Sequence, residues 1–258
     1  MQDLELWFAK AGLPIKVEKE SLSSISFSVN NQDIFQMTID TKGKKHIKEY
    51  FRIFPGHRDN EVRVIDTDSG KQQLILLVNE PERKYSVRLW DRNKRDWVYE
   101  KQKSPGLLRK YLMGMDECHL FIAELPRNLG PINKIKDAHK ALKPDDVIDK
   151  ESGTNRIKRQ GEWFFIPTTK EELKEINKNL NLVEKKRPLG ESMWRSGNSH
   201  IADLLLTIQA GQFAKGKISH RDHKTLKLHG WFRVVKNNEA RTSFISGRAI
   251  FNGVKFVD

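Results

Sequence analysis

The chain has 258 residues, room for one large domain or two modest ones with a core that needs no covalent staples. Its 37% hydrophobic and 31% charged residues exclude a largely disordered chain, and its single cysteine excludes an intramolecular disulfide or a cysteine-based zinc finger. The formal charge of +13 points to a polyanionic partner rather than a cationic one.

That charge is unevenly placed: the net is +1 over residues 1–100, +6 over 101–200 and +6 over the last 58. A polyanion-facing C-terminal part follows from this distribution. The opening MQDLELWFAKAGLP carries early acids and no signal-type apolar run, and no stretch nears the roughly 18 apolar residues of a span. A soluble cytoplasmic protein with no membrane partner is expected, consistent with the near absence of cysteine.

Along the chain, Asp3 is placed to cap a helix whose stripe is Leu4, Trp7, Phe8 and Ala11, ended by Gly12 and Pro14. Period-two segments then follow: SISFSVN, DIFQMTID, EYFRIFP, NEVRVID, QQLILLVNE, YSVRLWD and DWVYEK, joined by short polar or Gly/Pro links. They predict an antiparallel meander with QLILLV, the least alternating, at its centre and buried on both faces. SPGLLRKYLMGM predicts a short helix after Pro105, and ECHLFIAEL a strand in which Cys118 is a buried structural thiol. NKIKDAHKALKP predicts a helix capped by Asn133 and stopped by Pro144.

Residues 144–158 lack periodicity and predict a linker between an N-terminal sheet domain, 1–143, and a smaller basic α+β domain, 155–258. In the latter, GEWFFIP predicts a strand and TTKEELKEINKNLNL a helix with capping boxes at Thr168/Glu171 and Thr169/Glu172. EKKRPLGESMWRSGNS predicts an irregular basic segment and HIADLLLTIQ a short helix. GQFAKGKIS, TLKLHGWFRVVK, RTSFIS and AIFNGVKFV predict strands, the last with an Asn252-Gly253 turn. The fold class expected overall is α+β with mostly antiparallel sheets: an N-terminal β-meander with flanking helices and the smaller basic domain.

Residues 215–237, KGKISHRDHKTLKLHGWFRVVKN, hold three histidines, one aspartate and seven Lys/Arg. HRDHK reads as a loop between strands ending at Ile218 and resuming at Thr225, with Leu226 and Leu228 inward and Lys227 and His229 outward. His220, Asp222 and His223 are of a type that binds zinc or manganese, because imidazole and carboxylate lone pairs suit such cations. The spacing lacks the helical i, i+4 histidines and the glutamate of zincins, and Arg221, Lys224 and Lys227 oppose a dication, so both metal and cofactor stay open. Asp222, His223 and Asn238 are similar to the ββα-metal nuclease pattern, but the chain closes in strand-like FNGVKFVD where that fold carries a helix. A metal-free route to phosphodiester cleavage needs a histidine pair and a cation, which His200, His220, His223 and His229 with Lys224 or Arg241 supply.

His-Arg-Asp at 57–59 and 220–222 lacks the asparagine five residues on that a kinase loop needs. No P-loop, dinucleotide fingerprint, nucleophile elbow or EF-hand loop is present. The sequence reading is therefore a nucleic-acid-binding protein, RNA ahead of DNA, gripping phosphates through Arg221, Lys224, Lys227, Arg233, Lys236 and Arg241, with Trp231 as a stacking face. The alternatives are a nuclease or other phosphodiesterase using His220, Asp222, His223 and His229, and a protein-interaction module for an acidic partner.

Overall fold

The computed structural model describes residues 3–22, 33–43, 48–104, 106–117, 119–127, 131–151, 157–190, 199–221, 223–239 and 253–254. Among them, mostly antiparallel sheets dominate, with four short α-helices, none long and apolar enough to cross a membrane. The chain divides into two compact units. One comprises Met1–Met115, Leu120–Ala138 and Ala240–Val257; the other comprises Asp116–His119, His139–Glu239 and Asp258.

In the first unit, α1 (Leu4–Lys10) starts where Asp3 accepts the Leu6 N–H at 3.1 Å. Its Leu4, Phe8 and Ala11 face the core, as the stripe predicts. Strands β1 (Ile15–Val17), β2 (Gln36–Lys42), β3 (Lys48–Phe54) and β16 (Gly253–Val254) form one sheet in the order β1-β3-β2-β16. Strands β4 (Glu61–Asp68), β5 (Gln73–Glu80), β8 (Leu107–Asp116) and β9 (His119–Glu124) form another. Leu74, Leu76 and Val78 of β5 share a core with Phe8, Phe51 and Tyr111, and the alternate residues Ile75 and Leu77 are buried too. This strand is thus central and covered on both faces. β6 (Arg83–Asp91) and β7 (Asp96–Ser104) pair with one another as a separate hairpin.

The helix expected from SPGLLRKYLMGM is instead β8. Its pairing with β5 and its inward Arg109, Tyr111 and Met113 override the helical propensity of leucine and lysine. Arg109 is 1% exposed and ion-pairs with Glu80 of β5, whose other carboxylate oxygen accepts the Phe35 N–H at 2.9 Å. α2 (Ile135–Leu142) forms as expected, but Asn133 does not cap it. Asn133 accepts Lys110 Nζ at 2.9 Å, while Asp66 takes the Ile135 N–H at 2.9 Å. SISFSVN from Ser24, Cys118, RTSFIS and Asn252 lie outside the described residues; Gly253 is in β16, paired with Gln36 rather than in a turn.

In the second unit, part of the expected linker is α3 (Asp145–Glu151), because Val147 is fully buried against Phe164 and Ile166. β10 (Lys158–Gln160) and β11 (Trp163–Pro167) follow, then α4 (Lys170–Lys178), whose Thr169/Glu172 capping box is complete. The start of the expected irregular basic stretch is an exposed edge strand, β12 (Glu184–Pro188). HIADLLLTIQ is not a helix but β13 (Ile201–Ile208), where pairing on both sides outweighs the helical preference of three successive leucines. β14 (Gly211–Ser219) and β15 (Leu226–Lys236) complete a sheet in the order β10-β11-β15-β14-β13-β12.

This sheet is sharply bent. Lys215 pairs with Trp231 but Gly216 with Leu228, so β15 carries two extra residues, His229 and Gly230, in a bulge. Gly216 and Gly230 have φ of 92° and 130°, which a residue with a Cβ rarely adopts. A Cβ on Gly216 would also come within 2.8 Å of the Asp203 Cβ. Beyond the bulge, the second half of β15 pairs with β11. β10 meets its first half through Lys158 Nζ to the Lys227 carbonyl at 2.5 Å, and the loop before it through Gln160 Nε2 to the Lys224 carbonyl at 2.6 Å. The curl encloses Trp163, Phe165, Leu205, Ile218 and Leu228.

Removing one partner of a buried ion pair leaves a desolvated charge, typically at a cost of about 3–5 kcal/mol. Arg109→Met is expected to lower the stability of the full chain by that order in urea unfolding, and Arg109→Met/Glu80→Gln to recover part of the loss. Unchanged unfolding for the single variant would refute a buried charge pair here.

Candidate metal centre

Three imidazoles meet at one end of the curled sheet. His200 immediately precedes β13, His220 immediately follows β14, and His223 lies in the β14–β15 loop. Because Ile201 pairs with Ser219, the first two extend from adjacent strand ends. The ring centroids are 4.2 Å apart for His200 and His220, 4.8 Å for His220 and His223, and 5.4 Å for His200 and His223. One ring nitrogen from each lies within 4.8 Å of the others. His200 is 1% exposed, His220 9%, and His223 half-buried.

The β10–β11 turn closes over this cluster. Gly161 has φ +55°, and a Cβ there would stand 3.1 Å from His200 Nε2 and 3.2 Å from His223 Nε2. Both nitrogens therefore flank one point that glycine leaves free of a side chain. Arg159 Nε donates to the Gly161 carbonyl at 2.9 Å and fixes the turn. On the other edge of the His200 ring, Nδ1 lies 3.8 Å from the buried Glu162 carboxylate. That is ion-pair rather than hydrogen-bond distance, and a carboxylate drawn in to hydrogen-bond a histidine's rear nitrogen is an arrangement typical of metal-bound imidazole. The loop is clamped on both sides of Lys224: its carbonyl accepts Gln160 Nε2, and its N–H donates to Glu117 Oε2 at 3.1 Å.

Chemically, each imidazole offers a ring-nitrogen lone pair, the donor type that zinc and similar cations take. Zinc bonds imidazole nitrogen at about 2.0–2.1 Å, which sets tetrahedral nitrogens about 3.4 Å apart, so the near-parallel rings must turn their nitrogens toward a common point to close on an ion. Three histidines also leave one position of a four-coordinate ion open.

The structure brings together His200, His220 and His223 of the expected histidines. His229, exposed in the β15 bulge, stands outside the cluster, and Asp222 lies outside the described residues. Arg221, Lys224 and Lys227 are exposed, and among the described residues none ion-pairs with a carboxylate. Lys217 and Lys227 are direct cross-strand partners, a like-charge pairing that repels unless an anion is nearby. Asp203 is the carboxylate facing this edge. Its hydrogen bonds from Lys186 and then the Lys217 N–H hold it below the usual carboxylate range.

Other expected phosphate contacts are otherwise occupied. Arg233 ion-pairs with Asp146 at 2.8 Å and lies 3.4 Å from Glu172. Lys236 sits 5.9 Å from the Trp163 ring centre. Trp231 packs with Ile176, Leu206 and Phe213, and Arg241 lies outside the described residues. Sequence reasoning missed Gly161 and Glu162. Their only signal is the Gln-Gly-Glu turn before WFFIP, which has no meaning until the sheet curls back on the loop.

Comparison with protein-family models, with curated proteins and with solved structures gives no match to this chain.

Loss of a carboxylate behind a metal-bound histidine commonly weakens metal affinity 10–100-fold. Glu162→Gln is expected to do so for Zn²⁺, measured by competition with a chromophoric chelator. Equal affinity in variant and parent would show that Glu162 does not orient a ligand.

Proposed function

We propose that the second unit is a metal-centred nucleic-acid-binding module, in which His200, His220 and His223 hold a zinc-type dication and the β14–β15 loop so fixed grips a phosphate backbone. The observation carrying this reading is the meeting of three imidazoles whose ligand atoms lie within 4.8 Å of one another, two of them beside a point that Gly161 keeps clear. A loop bearing exposed Arg221 and Lys224 gains from being fixed, because the ordering cost of its long side chains is then partly met before binding. Lys217 and Lys227 extend the same cationic edge along the paired strands. RNA is placed ahead of DNA as in the sequence reading, with duplex and single-stranded forms of both as probes.

A second reading, hydrolysis of a phosphodiester, is favoured by the open position that a three-histidine set leaves and by the partial exposure of His223. In that case the ion supplies a water of lowered pKa, and Arg221 and Lys224 orient the scissile phosphate.

The tests separate the two. Zinc-loaded protein is expected to bind an RNA 12-mer in fluorescence anisotropy with affinity falling as salt rises. Arg221→Gln/Lys224→Gln/Lys227→Gln should reduce the log–log salt slope by about 2, given about 0.7 per phosphate contact on single strands. His220→Ala should abolish stoichiometric zinc binding by calorimetry and weaken RNA binding about tenfold or more. An unchanged slope in the triple variant would contradict the loop as the phosphate grip. Metal-dependent release of nitrophenolate from bis(p-nitrophenyl) phosphate, lost in His220→Ala, would establish the hydrolytic reading, and its absence would remove it.

A further inference from the structure

A different surface, in the first unit, carries an inference that does not depend on the metal centre. β6 and β7 pair over their whole length, Arg83 with Ser104 through Asp91 with Asp96. Because successive strand residues alternate in face, positions 84, 86, 88 and 90 share one side with 97, 99, 101 and 103. That side has Lys84 opposite Lys103, Ser86 opposite Lys101, Arg88 opposite Tyr99 and Trp90 opposite Trp97. The three acidic residues of the hairpin, Asp91, Asp96 and Glu100, all occupy the alternate positions. The 22 residues from 83 to 104 carry a net +5, so the charge is both high and segregated by face.

The aromatic residues of this side are exposed: Trp90 50%, Trp97 49% and Tyr99 74%. Trp90 and Trp97 meet edge to face with centroids 5.5 Å apart. Such a pair steadies a two-stranded hairpin that would otherwise be marginal in water. It does not explain Tyr99, which is three-quarters exposed, nor a face bearing lysines and no acid. Lys103 reaches back to Glu82, just before β6, at 2.7 Å, and Lys84 acts on the same carboxylate through its charge without an ion-pair contact; Lys101 makes no ion pair among the described residues. Flat exposed rings flanked by cations suit a chain of stacked bases with phosphates between them. An acidic protein surface would satisfy the lysines but not three adjacent rings.

We propose that the β6–β7 hairpin is an arm that binds single-stranded nucleic acid, with Trp90, Trp97 and Tyr99 stacking on bases and Lys84, Lys101 and Lys103 meeting the phosphates. Ring stacking is indifferent to base identity, so the arm tolerates sequence and discriminates single strands from duplex, whose bases are already stacked.

The experiment is done in the full chain carrying Arg221→Gln, Lys224→Gln and Lys227→Gln, so that the loop of the second unit does not contribute. Intrinsic tryptophan fluorescence and anisotropy are read against a uridine 12-mer, an adenosine 12-mer, a 12-base-pair duplex and vesicles of phosphatidylcholine with one-third phosphatidylserine. Both single strands are expected to quench the fluorescence. Tyr99→Ala is expected to weaken them about tenfold and Lys84→Gln/Lys101→Gln/Lys103→Gln to flatten the salt dependence, with the duplex bound at least tenfold more weakly. Tyr99 has little packing to lose, so its variant keeps the hairpin; Trp90→Phe/Trp97→Phe, which retains rings, should keep most of the affinity. Full affinity in both the Tyr99 and the lysine variants overturns the proposal, as does equal binding of the duplex or binding of vesicles without oligonucleotide.

Discussion

The second unit is organised by one constraint, the break in pairing between β14 and β15. Two extra residues on β15, and glycines at positive φ on both strands, turn a flat ribbon into a curled sheet. Only then does β10 come beside the start of β15, and only then does the Gly161 turn sit over the loop that carries His220 and His223. With regular pairing His200 and His220 would still be neighbours through Ile201 and Ser219, but nothing would cover them. The hydrogen bonds from Lys158 to the Lys227 carbonyl of β15 and from Gln160 to the Lys224 carbonyl of the loop before it then act as the fasteners of that geometry. Local backbone chemistry at two glycines therefore sets the position of a side-chain cluster several residues away.

Within the cluster, packing and chemistry point the same way. His200 and His220 are nearly parallel, with rings 19° apart, which buries their faces against one another at the end of the curled sheet. The two-residue turn joining Gln160 to Trp163 already calls for the left-handed glycine at 161. Stacking alone gives no reason for a buried carboxylate behind His200, and the proposed shared cation does. Cationic residues on the loop do oppose a dication, yet Arg221 and Lys224 are exposed, where water screens them, while the imidazole nitrogens are inside.

Much of the architecture is readable from the residues, because alternation marks β2 to β7 and the capping box marks α4. The failures share a cause. GLLRKYLMGM and HIADLLLTIQ hold runs of leucine or other helix formers whose alternation is hidden, and partners on both sides, not local preference, make them strands. VIDK in the supposed linker is helical because Val147 finds Phe164 and Ile166. At the site, the histidines of the loop were visible, since residue type and local density are sequence properties. His200 is among the candidate histidines of the sequence without a reason to place it there, and Gly161 and Glu162 are not visible at all: they are brought in by sheet curvature, which no spacing rule encodes. Charge counted in windows of a hundred residues likewise divides the basic β6–β7 hairpin at its second strand and leaves the first window almost neutral. Its segregation by face emerges only from the register.

The central claim, that the curled sheet assembles a three-histidine metal site, is tested most directly by X-ray absorption at the zinc edge on the full chain after zinc loading and removal of excess ion. The account predicts one zinc per chain with three imidazole nitrogens at about 2.0–2.1 Å and one further oxygen ligand. A chain that retains no zinc, or retains it with fewer than two imidazoles in its coordination shell, contradicts it.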